Sequence, residues 1–152
     1  MVNVKELLLA QLDACLENTW FVSLINSIDG LTEEQANWKP NETTNSIFEI
    51  VNHLIFYNHR SLNRFKDIPN DKKVDDNTFK NREELNWNAT VKWINEIMSE
   101  WKDVVKKADT DKLDDMANEL AHLTIHTTYH TGQIIYIRKL QGIWNPKNGV
   151  KG

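Results

Sequence analysis

Apolar residues recur at intervals of three and four in four stretches of the chain, with polar segments between them. That spacing is the period of one buried helix face and not the alternation of a strand. In the first stretch Leu8, Leu12, Cys15, Leu16 and Val22 predict a helix over about 4–28. Gly30 and Pro40 break the pattern in "DGLTEEQANWKPNETT". In the second, Ile47, Ile50, Val51, Leu54, Asn58, Leu62 and Phe65 form one nearly all-apolar side and predict a helix over about 46–66. Ser46 with Glu49 three residues later can satisfy each other's free backbone N–H, which fixes its start. Val91, Ile94, Met98, Trp101 and Val105 predict a third helix over about 82–107, with Asn81 and Glu84 as its start signal. A fourth is expected over about 116–141, closed by Gly142 and, beyond it, Pro146.

Four such helices predict an all-α four-helix bundle, a single domain over residues 1–152. The links suggest its topology. The third link, "KKADTDKLDD", is short, which favours antiparallel neighbours. The second, "IPNDKKVDDNTFKN", can retrace a helix about 30 Å long. A parallel second and third helix, and an up-down-down-up order, follow.

Composition narrows the function classes. Charged residues make up 26% of the chain and hydrophobic ones 40%, a globular balance. With net charge −4 and no long Lys/Arg run, nucleic acid is not an expected partner. No apolar run nears the ~20 residues that span a bilayer, and the N-terminus has no signal-peptide pattern. A soluble, cytoplasmic protein is expected. Cys15 is the only cysteine, so no intrachain disulfide can form. Its place on the first apolar stripe reads as a small core residue.

The fourth segment holds the candidate chemistry. In "ELAHLTIHTTYHTGQ" Glu119, His122, His126, His130 and Gln133 share one helix face. Three histidines at i, i+4 and i+8 span about 12 Å along the axis, too far for one ion with bonds near 2 Å. One pair is therefore favoured, with a further ligand from another helix. The second helix offers His53 and His59, and periodicity does not choose between them: each lies roughly 100–140° from the centre of the apolar stripe. A solvated polar stripe is the competing reading of the trio. A zincin-type protease is disfavoured, because "HTTYH" lacks the glutamate after the first histidine.

Over nearly its whole length the chain resembles the DinB-like superfamily of four-helix metalloproteins. The resemblance lies in "LTEEQANWKPNETTNSIFEIVNHL", with its W-x-P turn and helix-borne histidine, and in "ELAHLTIHTTYHTGQIIYIRKLQG", with H-x-x-x-H, then GQI and a closing glycine. It implies an up-down-down-up bundle and a three-histidine metal site at His53, His126 and His130. His122 would fall outside the ligand set. Relatives often carry Arg where this chain has Thr131, which puts transfer of their substrates to this chain in doubt.

An open three-histidine site has positions left for chemistry, whereas closed structural zinc sites usually have four protein ligands. Imidazole suits Zn²⁺ and Ni²⁺. Such an ion could activate water or hold a thiol as its nucleophilic thiolate. The resemblance implies a thiol S-transferase acting on a small-molecule electrophile with a low-molecular-weight thiol cosubstrate. The alternatives are a non-catalytic metal-binding stress-response protein and a metal-dependent hydrolase. Gln133, Glu119 and His122 are candidates for supporting the ligands. Tyr57 and Tyr129 read as packing residues, Trp38 as an anchor of the first loop, and the other tryptophans as core or interface. A homodimer is expected.

Overall fold

The structure is a computed structural model that describes residues 1–70 and 77–151. Residues 71–76 of the long link lie outside the described residues. Among the described residues there are six α-helices: α1 (Val4–Leu16), α2 (Leu24–Ser27), α3 (Glu33–Asn37), α4 (Ile47–Phe65), α5 (Trp87–Lys107) and α6 (Thr110–Gln141), then a 3₁₀ turn at Pro146–Asn148. The four long helices pack together as an all-α bundle.

The first predicted helix is interrupted. α1 stops at Leu16, because Glu17 turns extended (φ −131°) and Asn18 organises a loop in place of another turn. Asn18 Oδ1 accepts the Ser23 N–H at 3.0 Å and the Asn26 side-chain amide at 2.9 Å. Val22 is buried in that loop, so its match to the helical period came from burial without helix. α2 restarts under its own cap, Ser23. The stretch read as a break holds the short α3, begun by a reciprocal cap between Thr32 and Gln35.

α4 follows its prediction closely. Ser46 N–H donates to Glu49 Oε2 at 2.7 Å, and Glu49 N–H to Ser46 Oγ at 3.1 Å. α5 begins later than expected, at Trp87 under Asn86. Asn81 does not cap a helix; it closes a turn on Leu85, accepting its N–H and donating to its carbonyl. Glu84 within that turn has φ 52°, left-handed and incompatible with a helix start. α6 begins earlier than expected, at Thr110 under Asp109. Its polar-looking first turns bury Leu113 and Met116. Gly142 ends it in the left-handed region at φ 77°, where a glycine costs least.

Cross-helix contacts fix the directions. Lys5 Nζ donates to the carbonyls of Lys106 and Ala108, and Asp13 pairs with Lys102, so α1 and α5 are antiparallel. Gln11 meets Thr124, and Asn18 meets Asn148, so α1 and α6 are parallel. Phe48 packs on Trp87, and Phe65 on Trp101, so α4 and α5 are parallel. Ser61 meets Glu119, and Asp67 meets Lys112, so α4 and α6 are antiparallel. The order is up-down-down-up. α1 and α4 each pack on α5 and α6. This corrects one expectation: α5 and α6 are antiparallel but face each other across the diagonal, although only Ala108 and Asp109 join them. The start of α1 lies over that link, tied to it by Lys5.

Leu12, Leu54, Leu62, Ile94, Met98, Trp101, Leu120 and Ile134 are wholly buried between the helices. At one end Trp87 donates its indole N–H to the Leu31 carbonyl at 2.9 Å and so fastens the α2–α3 segment to α5. Trp38 packs on the core after α3. Trp20, by contrast, is 95% exposed in the loop after α1. Among the described residues no helix is long and apolar enough to cross a membrane.

Candidate metal centre

The seam between α4 and α6 carries several hydrogen-bonded polar groups among its apolar ones. Asn58 is buried and donates from Nδ2 to the Leu54 carbonyl at 2.9 Å and to Thr127 Oγ1 at 3.3 Å. Ser61 and Arg64 both donate to the Glu119 carboxylate at 2.7 Å. Thr127 and Thr131 return their hydroxyl protons to carbonyls one turn back in α6. Unmatched, such groups would be costly to bury; matched, they let the seam be polar.

Three imidazoles converge along this seam. α4 supplies His53, and α6 supplies His126 and His130 one turn apart. His53 Nε2 lies 3.0 Å from His126 Nε2, and His130 Nε2 lies 3.1 Å from it. One nitrogen from each of the three falls within 4.8 Å of the others. Nitrogens bound about 2.0–2.1 Å from one ion stand roughly 2.9–3.4 Å apart at bond angles of 90–109°. The two separations made by His126 fit that range, while the 4.8 Å bound on the whole set is a little wider than two such bonds span.

The far sides of two rings are held. His130 Nδ1 sits 2.7 Å from Gln133 Oε1. An amide oxygen only accepts, so Nδ1 carries the proton and Nε2 keeps its lone pair. His53 Nδ1 sits 2.7 Å from Thr78 Oγ1. Phe79 stacks on the His53 ring, with centroids 4.1 Å apart and planes 4° apart. Tyr57 stands edge-on to both His53 and His126.

All three histidines titrate below the ordinary imidazole range. Burial is the first cause for each. For His53, the neighbouring His130 and His126 add to it, and the value falls to about 4. In the tautomers that present all three Nε2 lone pairs, the rings would repel one another unless a proton or cation stood between them. A divalent cation meets that need, and neutral imidazole is its usual nitrogen ligand. The cluster could therefore bind a metal ion.

The other sequence candidates fall elsewhere. His122 is exposed, a turn below the cluster. His59 packs against Trp93 on another side of α4. Glu119 is engaged by Ser61 and Arg64. Tyr129 touches the His130 ring edge-on but is 65% exposed. Thr131 is buried and bonded to its own helix. Cys15 is buried, and burial raises its thiol pKa to about 12. Thr78 and Phe79 were not foreseen. The one available signal was an isolated aromatic, Phe79, in the otherwise polar segment "DDNTFKN".

The family model of the DinB superfamily matches residues 16–134, a span that contains all three converging histidines. No curated protein and no solved structure matches the chain. The matched span covers most of the sequence, and the chain belongs to the DinB superfamily.

Proposed function

We propose that this protein is a divalent-metal-dependent enzyme that transfers a low-molecular-weight thiol to a small electrophilic substrate. The observation that carries the reading is the convergence of His53, His126 and His130 from two helices onto one point. These three residues would hold the ion, Zn²⁺ or Ni²⁺, leaving coordination positions open. A bound divalent ion would supply the Lewis acidity that favours a thiolate over a thiol near neutral pH. The chain's residues have separate tasks in this reading. Gln133 holds the His130 tautomer that presents Nε2. Tyr57 and Phe79 form aromatic walls about His53. Cys15, buried and with its pKa near 12, is unsuited to be the nucleophile, which supports a thiol brought by a cosubstrate.

The test is a preparation without a histidine tag, assayed for bound metal and then for loss of free thiol with a panel of small thiols and electrophiles. Stoichiometric metal and thiol-dependent turnover are expected. Metal content far below one equivalent after reconstitution would overturn the metal-dependent reading. Bound metal with turnover that ignores added thiol would point to a hydrolase, and bound metal with no turnover to a metal-holding protein.

A further inference from the structure

The segment that leads into α5 reaches back to one of the three histidines, and it does so through two consecutive residues. Thr78 places its hydroxyl 2.7 Å from His53 Nδ1. Phe79 lays its ring flat on the same imidazole and meets His130 edge-on at 6.3 Å. Thr78 is buried, and Phe79 packs on the core. A local turn holds the pair: Asn77 Oδ1 accepts the Phe79 N–H at 3.0 Å, and the Asn77 carbonyl accepts the Lys80 N–H at 3.3 Å.

A ring can rotate about its own bonds and can carry its proton on either nitrogen. The stacked face limits the rotation. The hydroxyl fixes which nitrogen points outward. For Nε2 to offer its lone pair toward His126 and an ion, Nδ1 must carry the proton, and Thr78 Oγ1 stands where it would accept it. Gln133 does the same for His130 from within α6. His53 has no comparable partner on its own helix among the contacts of its ring; its holder comes from a segment 25 residues away in sequence.

We propose that Thr78 and Phe79 are positioning residues for His53, and that they set the metal affinity of the three-histidine cluster without touching the ion. The proposal rests on the metal-binding reading above. Outer partners of ligating histidines typically carry 10–100-fold in metal affinity. Thr78→Val keeps the shape and removes the acceptor, so it should weaken affinity by roughly 10-fold or more. Thr78→Ser keeps the hydroxyl and should stay near wild type. Phe79→Leu keeps apolar volume and removes the stacked face, and should weaken affinity to a lesser degree.

The experiment is chelator competition with Zn²⁺ on all four proteins, alongside thermal unfolding of each without metal. A second readout is the visible absorption of the Co²⁺-loaded proteins, which reports ligand geometry independently of turnover. The expected result is weaker competition and an altered Co²⁺ spectrum for Thr78→Val and Phe79→Leu, with Thr78→Ser restored. Unchanged affinity and spectrum in Thr78→Val, with only its metal-free unfolding midpoint lowered, would show that Thr78 merely docks the segment and overturn the proposal. Should Thr78→Val fail to fold, equal affinity in Phe79→Leu and wild type would overturn it. A wild type that binds no metal at all would remove the metal-dependent function itself, a different result from either.

Discussion

His53 and His126 are 73 positions apart in sequence, yet their Nε2 atoms stand 3.0 Å from each other. The antiparallel crossing of α4 and α6 is what joins them. Because His126 also lies 3.1 Å from His130, it is the shared vertex of the cluster. Replacing His53, His126 or His130 by alanine should lower metal affinity by more than ~100-fold, beyond what outer partners contribute. His122→Ala, on the exposed side of α6, should leave it unchanged. Chelator competition separates the two cases, and an equal loss in His122→Ala would assign the wrong histidines.

Metal-free stability should depend on pH in a defined window. The folded pKa of His53 is lowered to about 4 from 6.5, and those of His126 and His130 are lowered too. Between those values the unfolded chain binds more protons than the folded one, so stability rises with pH across the window. Acidifying from pH 7 toward 4 should therefore lower the unfolding midpoint, with no further loss from His53 below about 4. In His53→Gln that dependence should shrink. Midpoints measured at several pH values without metal decide it; identical slopes in variant and wild type would refute the linkage. With metal bound, protons compete for the same nitrogens, so acid should also release the ion.

Cys15 should be inert in the native protein. It is 2% exposed, and its pKa near 12 leaves almost no thiolate at neutral pH. A disulfide reagent such as dithionitrobenzoate should label it only as fast as the bundle opens, and at once in denaturant. Immediate labelling under native conditions would contradict this placement. Cys15→Ala should preserve any thiol-transfer activity and cost a modest amount of stability.

Asn58→Ala should destabilise the bundle by about 2 kcal/mol, since a buried, doubly donating amide is lost and a void opens at the α4–α6 seam. Denaturant unfolding of the metal-free protein measures it. A change within about 0.5 kcal/mol, typical of surface positions, would mean that water replaces the amide at no cost.

The sequence made the bundle readable because four apolar stripes were long and regular. α4 was read within a residue at each end, since Ser46 and Glu49 form the reciprocal cap that the pattern announces. α1 was overread. Val22 keeps the helical spacing and is buried, but Asn18 diverts the backbone before it, and periodicity reports burial without reporting backbone. The start of α5 was misplaced because Asn81 and Glu84 look like a cap, while Asn81 in fact closes a turn onto Leu85. Spacing alone ruled out one ion for all three α6 histidines. It could not choose His53 over His59, because both flank the α4 stripe; the resemblance named His53, and only the crossing with α6 shows that it meets the other two. Thr78 and Phe79 were invisible for a plainer reason: they belong to no periodic element, and their contact with His53 is tertiary.

The crossing of α4 and α6 ties together two parts of the chain that the backbone itself leaves far apart. An ion shared by His53, His126 and His130 would close that long loop in the folded state alone, so it would favour folding in proportion to how far the free metal concentration exceeds its dissociation constant. Metal supply would then govern abundance: in metal-poor cells the protein would open more often and be cleared sooner. Its cellular half-life would then follow the supply of that ion.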